Sequence, residues 1–176
     1  MTLEEKLKLA IRDVPDFPKE GIVFKDISPI MLDPKLSSEV LDFLVDYYTG
    51  KGIEAIAGVE SRGFLFGYPL AMRLGVPFIL IRKQGKLPYD KISHSYDLEY
   101  GSAVIEMHTD AISHGQNVLI HDDLLATGGS ASASAALIHK CGGRIAGFSF
   151  LINLSFLNGS QKLAGYSDDV HSLVSY

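Results

Sequence analysis

The sequence predicts an α/β fold with a mostly parallel central sheet flanked by helices, and three observations predict it. Short apolar runs recur at 53–59, 76–81, 102–107, 117–120 and 145–154. Helix-length stretches fall between several of them, notably 63–74, stopped by Gly75, and 130–141, rich in small residues. Strands alternating with helices pack as a parallel sheet covered on both faces. The third observation is that the run at 117–120 leads into two adjacent carboxylates, a Gly-rich turn and a helix. Ligands of such sheets sit beyond the carboxyl ends of the strands, so this end is the natural place for a site.

Taken in order, the chain opens with Thr2 and Glu5 spaced as a capping box, and Leu3, Leu7, Ala10 and Ile11 on one helical face. Pro15 and Pro18 prevent that helix from continuing. Residues 21–27 read as extended or looped. Asp33-Pro34 starts a second helix with Pro at its first position, Val40, Leu41, Leu44, Val45 and Tyr48 form its apolar face, and Gly50 and Gly52 end it. Residues 84–95 carry turn residues and charges without a hydrophobic period, which predicts a long mobile loop. The 102–107 run, the 117–120 strand, the helix after it and the 145–154 strand complete the alternation.

A length of 176 residues fits one domain with a substantial core. The net charge of −5 argues against non-specific nucleic-acid binding, which needs a basic footprint. Cys141 is the sole cysteine, so no internal disulfide forms, as expected of a reducing compartment, and it reads as a small buried hydrophobe. The N-terminus is charged and amphipathic rather than a signal peptide, and no apolar run reaches the length of a membrane span. A cytoplasmic protein is expected.

The chemistry concentrates in residues 117–130, NVLIHDDLLATGGS. Gly128 and Gly129 let the backbone approach an anion, the following helix offers unpaired N–H groups and a partial positive charge, and Thr127 and Ser130 add hydroxyl donors. Asp122 and Asp123 would repel a phosphate. They make sense if the ligand also carries Mg²⁺ or sugar hydroxyls in need of acceptors. In Glu60-Ser61-Arg62-Gly63, an Arg at a helix start is either a pyrophosphate clamp or half of a surface ion pair with Glu60. Arg82, Lys83 and Lys86 follow a strand, where three cations either neutralise an anion or form a solvated face like Lys91. Residues 95–101 read as a strand with acidic surface positions. The histidines show no metal-ligand spacing, and the P-loop pattern GxxxxGK[ST] is absent. His121 reads as a core histidine satisfied locally.

DDLLATGGS resembles the phosphoribosyl-pyrophosphate signature of the type I phosphoribosyltransferases, in the form carried by their adenine-specific members. That resemblance implies a single domain over 1–176, with a small hood from about 1–32 covering the purine. It also implies the transfer of a phosphoribosyl group from phosphoribosyl pyrophosphate to N9 of adenine. Asp122, Asp123, Ala126, Thr127, Gly128, Gly129 and Ser130 would hold the phosphoribosyl group, and Mg²⁺ would arrive bound to phosphoribosyl pyrophosphate rather than to protein side chains. Arg62 would act in catalysis and, with Lys83 and Lys86 of an RKxGKLP-like segment, on the pyrophosphate. YDLEYG matches the segment of the catalytic glutamate, which falls on Glu99, with Tyr100 positioning the base or sealing the pocket. Val23, Phe24 and Lys25 lie in a segment similar to FxDISP, where main-chain groups read the purine, and Leu154 matches the apolar wall on its other face. The family commonly has Arg at the position of Lys25, Glu at that of Asn153 and an aliphatic residue at that of His121. A homodimer is implied, without nucleic-acid or membrane partners. Two other readings share the signature: a phosphoribosyltransferase for another base, and a regulatory module that binds phosphoribosyl pyrophosphate without catalysis.

Overall fold

In the computed structural model, which describes residues 1–98 and 101–176, the chain divides into two units, Met1–Tyr47 and Tyr48–Tyr176. The first begins with α1 (Leu3–Ala10). Its predicted capping box is formed: the Thr2 N–H donates to Glu5 Oε2 at 2.8 Å and the Glu5 N–H to Thr2 Oγ1 at 3.2 Å. β1 (Arg12–Pro15) and β2 (Val23–Asp26) then pair antiparallel, with Asp13 opposite Lys25 and an ion pair of 2.6 Å between them. Phe17 meets Phe24 edge-on at 5.2 Å. Asp26 Oδ1 accepts from the Ser28 N–H and hydroxyl and so starts α2 (Ser28–Leu32). The sequence reading assigned no helix there; Pro29 falls in its first turn, where a Pro costs no hydrogen bond. α3 (Pro34–Tyr48) starts where Asp33-Pro34 predicts, with Asp33 Oδ1 accepting from the Lys35 and Leu36 N–H groups.

The second unit holds β3 (Ala55–Val59), α4 (Gly63–Leu74), β4 (Phe78–Lys83), β5 (Lys91–Asp97), β6 (Ser102–His108), β7 (Asn117–Leu125), α5 (Gly129–Lys140), β8 (Arg144–Asn153), α6 (Ser160–Leu163) and β9 (Val170–Ser175). Its strands form one sheet in the order β5-β6-β4-β3-β7-β8-β9. The pairs β3–β4, β3–β7, β7–β8 and β8–β9 are parallel, while β4–β6 and β5–β6 are antiparallel. The sheet is therefore mostly parallel, as predicted. Ala131, Ala135 and Ile138 of α5 pack on Val118, Ile120 and Phe148 of the sheet. Each fully buried large apolar side chain in such a core contributes about 1.5–3 kcal/mol. Among the described residues, no helix is long and apolar enough to cross a membrane.

Two expectations are corrected. Residues 84–95 are not a loop throughout, because β5 begins at Lys91 and pairs with β6 from Lys91↔His108 to Asp97↔Ser102. Its partly buried residues are Ile92, His94 and Tyr96, alternating with exposed ones. Only one of the three is aliphatic, so the period of two was invisible as hydrophobicity. The second correction concerns β7, which does not stop at residue 120. Its ladder with β3 ends at Gly58↔His121, but its ladder with β8 continues to Leu125↔Asn153. The acidic pair thus lies within a strand that extends past its β3 neighbour.

Candidate active site

Beyond His121, the flank of β7 vacated by β3 is taken by the chain that turns from β3 into α4. Gly63, the first residue of α4, lies so close to β7 that a Cβ there would stand 2.6 Å from the His121 carbonyl oxygen and 3.1 Å from Asp122 Cα. Only glycine permits that approach. It brings Arg62 Nε to 2.7 Å from Asp123 Oδ2. Glu60 is not the ion-pair partner that the sequence offered for Arg62. Its carboxylate instead takes a two-pronged contact from Arg82, at 3.1 Å from Nε and 3.2 Å from Nη2, and the Lys83 N–H at 2.9 Å. Burial raises the Glu60 carboxyl, but these bonds outweigh it and hold the group below its ordinary value. Arg82 is thereby a structural cation, tied also to the Lys86 carbonyl at 3.0 Å.

Two cavities meet at the acidic pair. The first, about 240 Å³, lies over residues 126–130 and is walled by Tyr96 and Asp97 of β5, Arg62 and the aspartates. α5 starts from Gly128, in the left-handed region at φ 78°, without a side-chain cap on its first N–H groups. Uncapped N–H groups and a helix dipole favour an anion. A Cβ at Gly128 would stand 2.6 Å from the Gly159 carbonyl oxygen, and one at Gly159 2.2 Å from that of Ala126. These two glycines interlock the turn with the chain ahead of α6. The second cavity, about 300 Å³, is lined by Glu60, Ser61, Arg62, Lys83, Asp122 and Asp123. It offers two cations and a hydroxyl beside the same carboxylates.

The acidic pair is held at an electrostatic cost. Burial pushes the Asp122 carboxyl well above the usual range, the neighbouring Asp123 adds to this, and Arg62 opposes it. Asp123 is also raised by burial, against the pull of Arg62. Its Oδ2 has no hydrogen-bond donor among the described residues, because the close Arg62 Nε–H is not aimed along it. Both aspartates are therefore poised to gain from an arriving donor or cation. Tyr96 is raised by burial and by Asp122, so its hydroxyl stays protonated at neutral pH. His121 is fully buried and kept neutral, with its pKa pushed down to about 4 by burial. Its Nδ1 lies 3.0 Å from Ser149 Oγ, but Nε2 has no hydrogen-bond partner among the described residues. The histidine is thus only half satisfied by its surroundings.

The structure brings Arg62, Lys83, Asp122, Asp123, Ala126, Thr127, Gly128, Gly129 and Ser130 together around the two cavities. Lys86 and Leu154 line neither cavity; the Leu154 N–H donates to the Leu125 carbonyl at 2.9 Å. Val23, Phe24 and Lys25 belong to the first unit, on and beside its hairpin. Glu99 and Tyr100 lie outside the described residues. Sequence reasoning missed Ser61, Tyr96, Asp97 and Gly159 as parts of the site. The Gly159 signal was a glycine ahead of a short helix far along the chain, with nothing local to tie it to residues 126–128.

Residues 35–173 match the phosphoribosyl transferase domain family. An adenine phosphoribosyltransferase of Ureaplasma parvum is 52% identical over 170 residues, which cover 97% of this chain and 96% of that protein. The crystal structure of adenine phosphoribosyltransferase from Thermoanaerobacter pseudethanolicus gives a TM-score of 0.95 at 49% identity, covering 99% of this chain and 100% of that one. The Saccharomyces cerevisiae adenine phosphoribosyltransferase, solved with D-2,5-dideoxy-2,5-imino-altritol 1,6-bisphosphate and adenine, gives 0.90 at 41% identity over 97% of this chain and 98% of that one.

Proposed function

The chain belongs to the phosphoribosyltransferase family, among its adenine phosphoribosyltransferases, and from that premise we propose how its own residues carry the reaction. The reaction is transfer of the 5-phosphoribosyl group from phosphoribosyl pyrophosphate to N9 of adenine, giving AMP and pyrophosphate. The observation that carries the assignment of parts is the meeting of two cavities at Asp122 and Asp123, one framed by a helix start and the other by cations.

The 5′-phosphate rests on the main-chain N–H groups of residues 126–130 and the hydroxyls of Thr127 and Ser130, at the positive end of α5. The diphosphate lies in the neighbouring cavity against Ser61, Arg62 and Lys83, with Lys86 closing from the segment behind Lys83. Asp122 and Asp123 lie between the two and accept from the ribose hydroxyls. As positive charge grows on the anomeric carbon, their negative charge is stabilised, so the transition state gains more than the ground state does. Arg62 helps the diphosphate depart by matching its oxygens with forked donors.

Mg²⁺ would be bound through phosphoribosyl pyrophosphate and would supply charge neutralisation to the leaving group. The donor set fits an ion delivered in this way, since Asp123 Oδ2, paired with Arg62 but without a hydrogen-bond partner among the described residues, is an acceptor left unused at the cavity wall. We assign purine reading to the main chain at Val23 and Lys25 with Phe24, an apolar wall to Leu154, proton exchange with the purine to Glu99 and the sealing of the base to Tyr100. These assignments rest on segment resemblance. A homodimer is supported by Leu65, Tyr68 and Met72, exposed along one face of α4, since such apolar stripes are typical of contact surfaces.

The test is AMP formation from adenine, phosphoribosyl pyrophosphate and Mg²⁺, with hypoxanthine and guanine as parallel substrates. Turnover with adenine alone is expected. Glu99→Ala is expected to lower kcat far more than it weakens phosphoribosyl pyrophosphate binding. Near-parental kcat in that variant would remove Glu99 from the chemistry, and binding without turnover of any base would overturn the enzymatic reading.

A further inference from the structure

Gly63 and Gly67 lie one turn apart on the same face of α4, and both rest on His121. A Cβ at Gly63 would meet the His121 carbonyl oxygen at 2.6 Å, and one at Gly67 would meet the ring Cδ2 at 3.3 Å. The ring is fully buried, joined to Ser149 of β8 through Nδ1, and without a partner at Nε2 among the described residues. A buried nitrogen left unpaired costs about 1–3 kcal/mol, so stability alone would favour an apolar side chain of similar size. The imidazole offers a flat, stiff spacer, fixed at one edge to β8 and pressed at the other against α4. The helix seated on it starts directly after Arg62, and Asp123 lies two residues beyond His121 on the strand beneath.

We propose that His121 is a positioning residue for the pyrophosphate end of the site: anchored by Ser149, it sets the seat of α4 on β7 and thereby the place of Arg62 relative to Asp123. The proposal rests on reading the cavity of Ser61, Arg62 and Lys83 as the pyrophosphate site. A spacer that shifts a guanidinium by a fraction of an ångström changes how its donors meet a diphosphate, while leaving the 5′-phosphate turn at Gly128 in place. The effect is therefore directional, falling on one substrate and sparing the other.

The experiment follows the reverse reaction, AMP plus pyrophosphate, with the purified full chain and its His121→Leu, Ser149→Ala and Arg62→Ala variants. His121→Leu and Ser149→Ala are expected to raise KM for pyrophosphate about tenfold while KM for AMP stays within about twofold. His121→Asn, which keeps a nitrogen near the Nδ1 position, falls between His121→Leu and the parent. A residue that merely supports folding would lower the unfolding temperature and the active fraction without separating the two KM values. The milder Ser149→Ala carries the test if His121→Leu does not fold. An unchanged KM for pyrophosphate in both folded variants, with Arg62→Ala raising it, overturns the positioning role and leaves the pyrophosphate reading intact. If Arg62→Ala leaves it unchanged as well, both are overturned.

Discussion

Arg62 Nε stands 2.7 Å from Asp123 Oδ2, yet its N–H is not directed at that oxygen, so the contact is ionic without a formed hydrogen bond. The partners differ in exposure: the Arg62 side chain is 40% accessible and that of Asp123 4%. A buried carboxylate thus borrows its counter-charge from a guanidinium that also lines the cavity shared with Ser61 and Lys83. On the proposed reading, an arriving diphosphate would bring more charge and better-placed acceptors than Asp123 does. Arg62 would then turn toward the substrate as the ribose brings donors to the aspartates.

This exchange depends on the forked geometry of the guanidinium. Arg62→Lys keeps the charge but places it at a point and cannot bridge two oxygens. It is expected to raise KM for phosphoribosyl pyrophosphate about tenfold, and Arg62→Ala to do so further with a fall in kcat. Steady-state kinetics with adenine held saturating provides the measurement. Equal KM values for the parent and Arg62→Lys would show that only the charge matters.

Asp122 should show opposite effects on stability and activity. Its carboxyl is raised above the ordinary range chiefly by burial, so the ionised form is the disfavoured one in the folded protein. That penalty is fully present above the folded pKa and is relieved as pH falls through it. Asp122→Asn removes the charge and keeps an oxygen for the Asp123 N–H, which donates to Asp122 Oδ1 at 2.9 Å. At neutral pH the variant is expected to unfold at a higher temperature than the parent. Its kcat/KM should fall by about 100-fold or more, because it loses a charge aimed at the developing cation. A lower Tm would mean that the carboxylate is well solvated or well paired in the folded state.

His121 adds a pH dependence of known sign. The imidazole titrates near 6.5 when exposed and at about 4 in the folded protein, so between those values the unfolded chain binds more protons. His121 contributes nothing above that window, costs stability increasingly as pH falls through it, and reaches a constant cost of about 3 kcal/mol below it. His121→Leu abolishes the cost, so the Tm difference between variant and parent should widen as pH is lowered from neutrality toward 4. The raised aspartates act in the opposite sense but are common to both proteins. A difference that does not change with pH would mean that the buried ring takes up its proton as readily as an exposed one.

The five inner strands of the sheet and the Gly-rich turn after β7 were legible because their signals are local, whereas the edge strand β9 was not assigned. An apolar run, a Gly-Gly turn and a helix of small residues describe β7 and α5 without reference to the rest of the chain. Asp33-Pro34 and the Thr2–Glu5 box were legible for the same reason. β5 was not, since its inward side chains include His94 and Tyr96 and the strand is defined by its pairing with β6. Nor was the partner of Arg62: Glu60 is two residues away in sequence, but the turn into α4 gives Glu60 to Arg82 and directs Arg62 to Asp123. Contacts of this kind depend on where two distant backbones meet, which no local pattern encodes.

Gly159 is the sharpest case of such a meeting and provides the last prediction. A methyl group at this position would stand 2.2 Å from the Ala126 carbonyl oxygen and 3.0 Å from the Gly128 nitrogen, both backbone atoms of the turn that leads into α5. Neither can swing aside as a side chain would, so Gly159→Ala must move one backbone away from the other, an overpacking that costs about 1–3 kcal/mol. The Ala126–Gly128 segment is the freer of the two to yield, because it turns at φ 78° and faces an open cavity. On the proposed reading, its movement would take the N–H groups of the turn off the 5′-phosphate. Gly159→Ala is therefore expected to raise KM for phosphoribosyl pyrophosphate and for AMP together, by about tenfold or more, and to leave KM for pyrophosphate in the reverse reaction near the parental value. That pattern is the mirror image of the one expected at His121, so both variants assayed in parallel divide the site into its two cavities. Should Gly159→Ala instead raise KM for pyrophosphate alone, the 5′-phosphate does not lie on the turn that Gly159 supports.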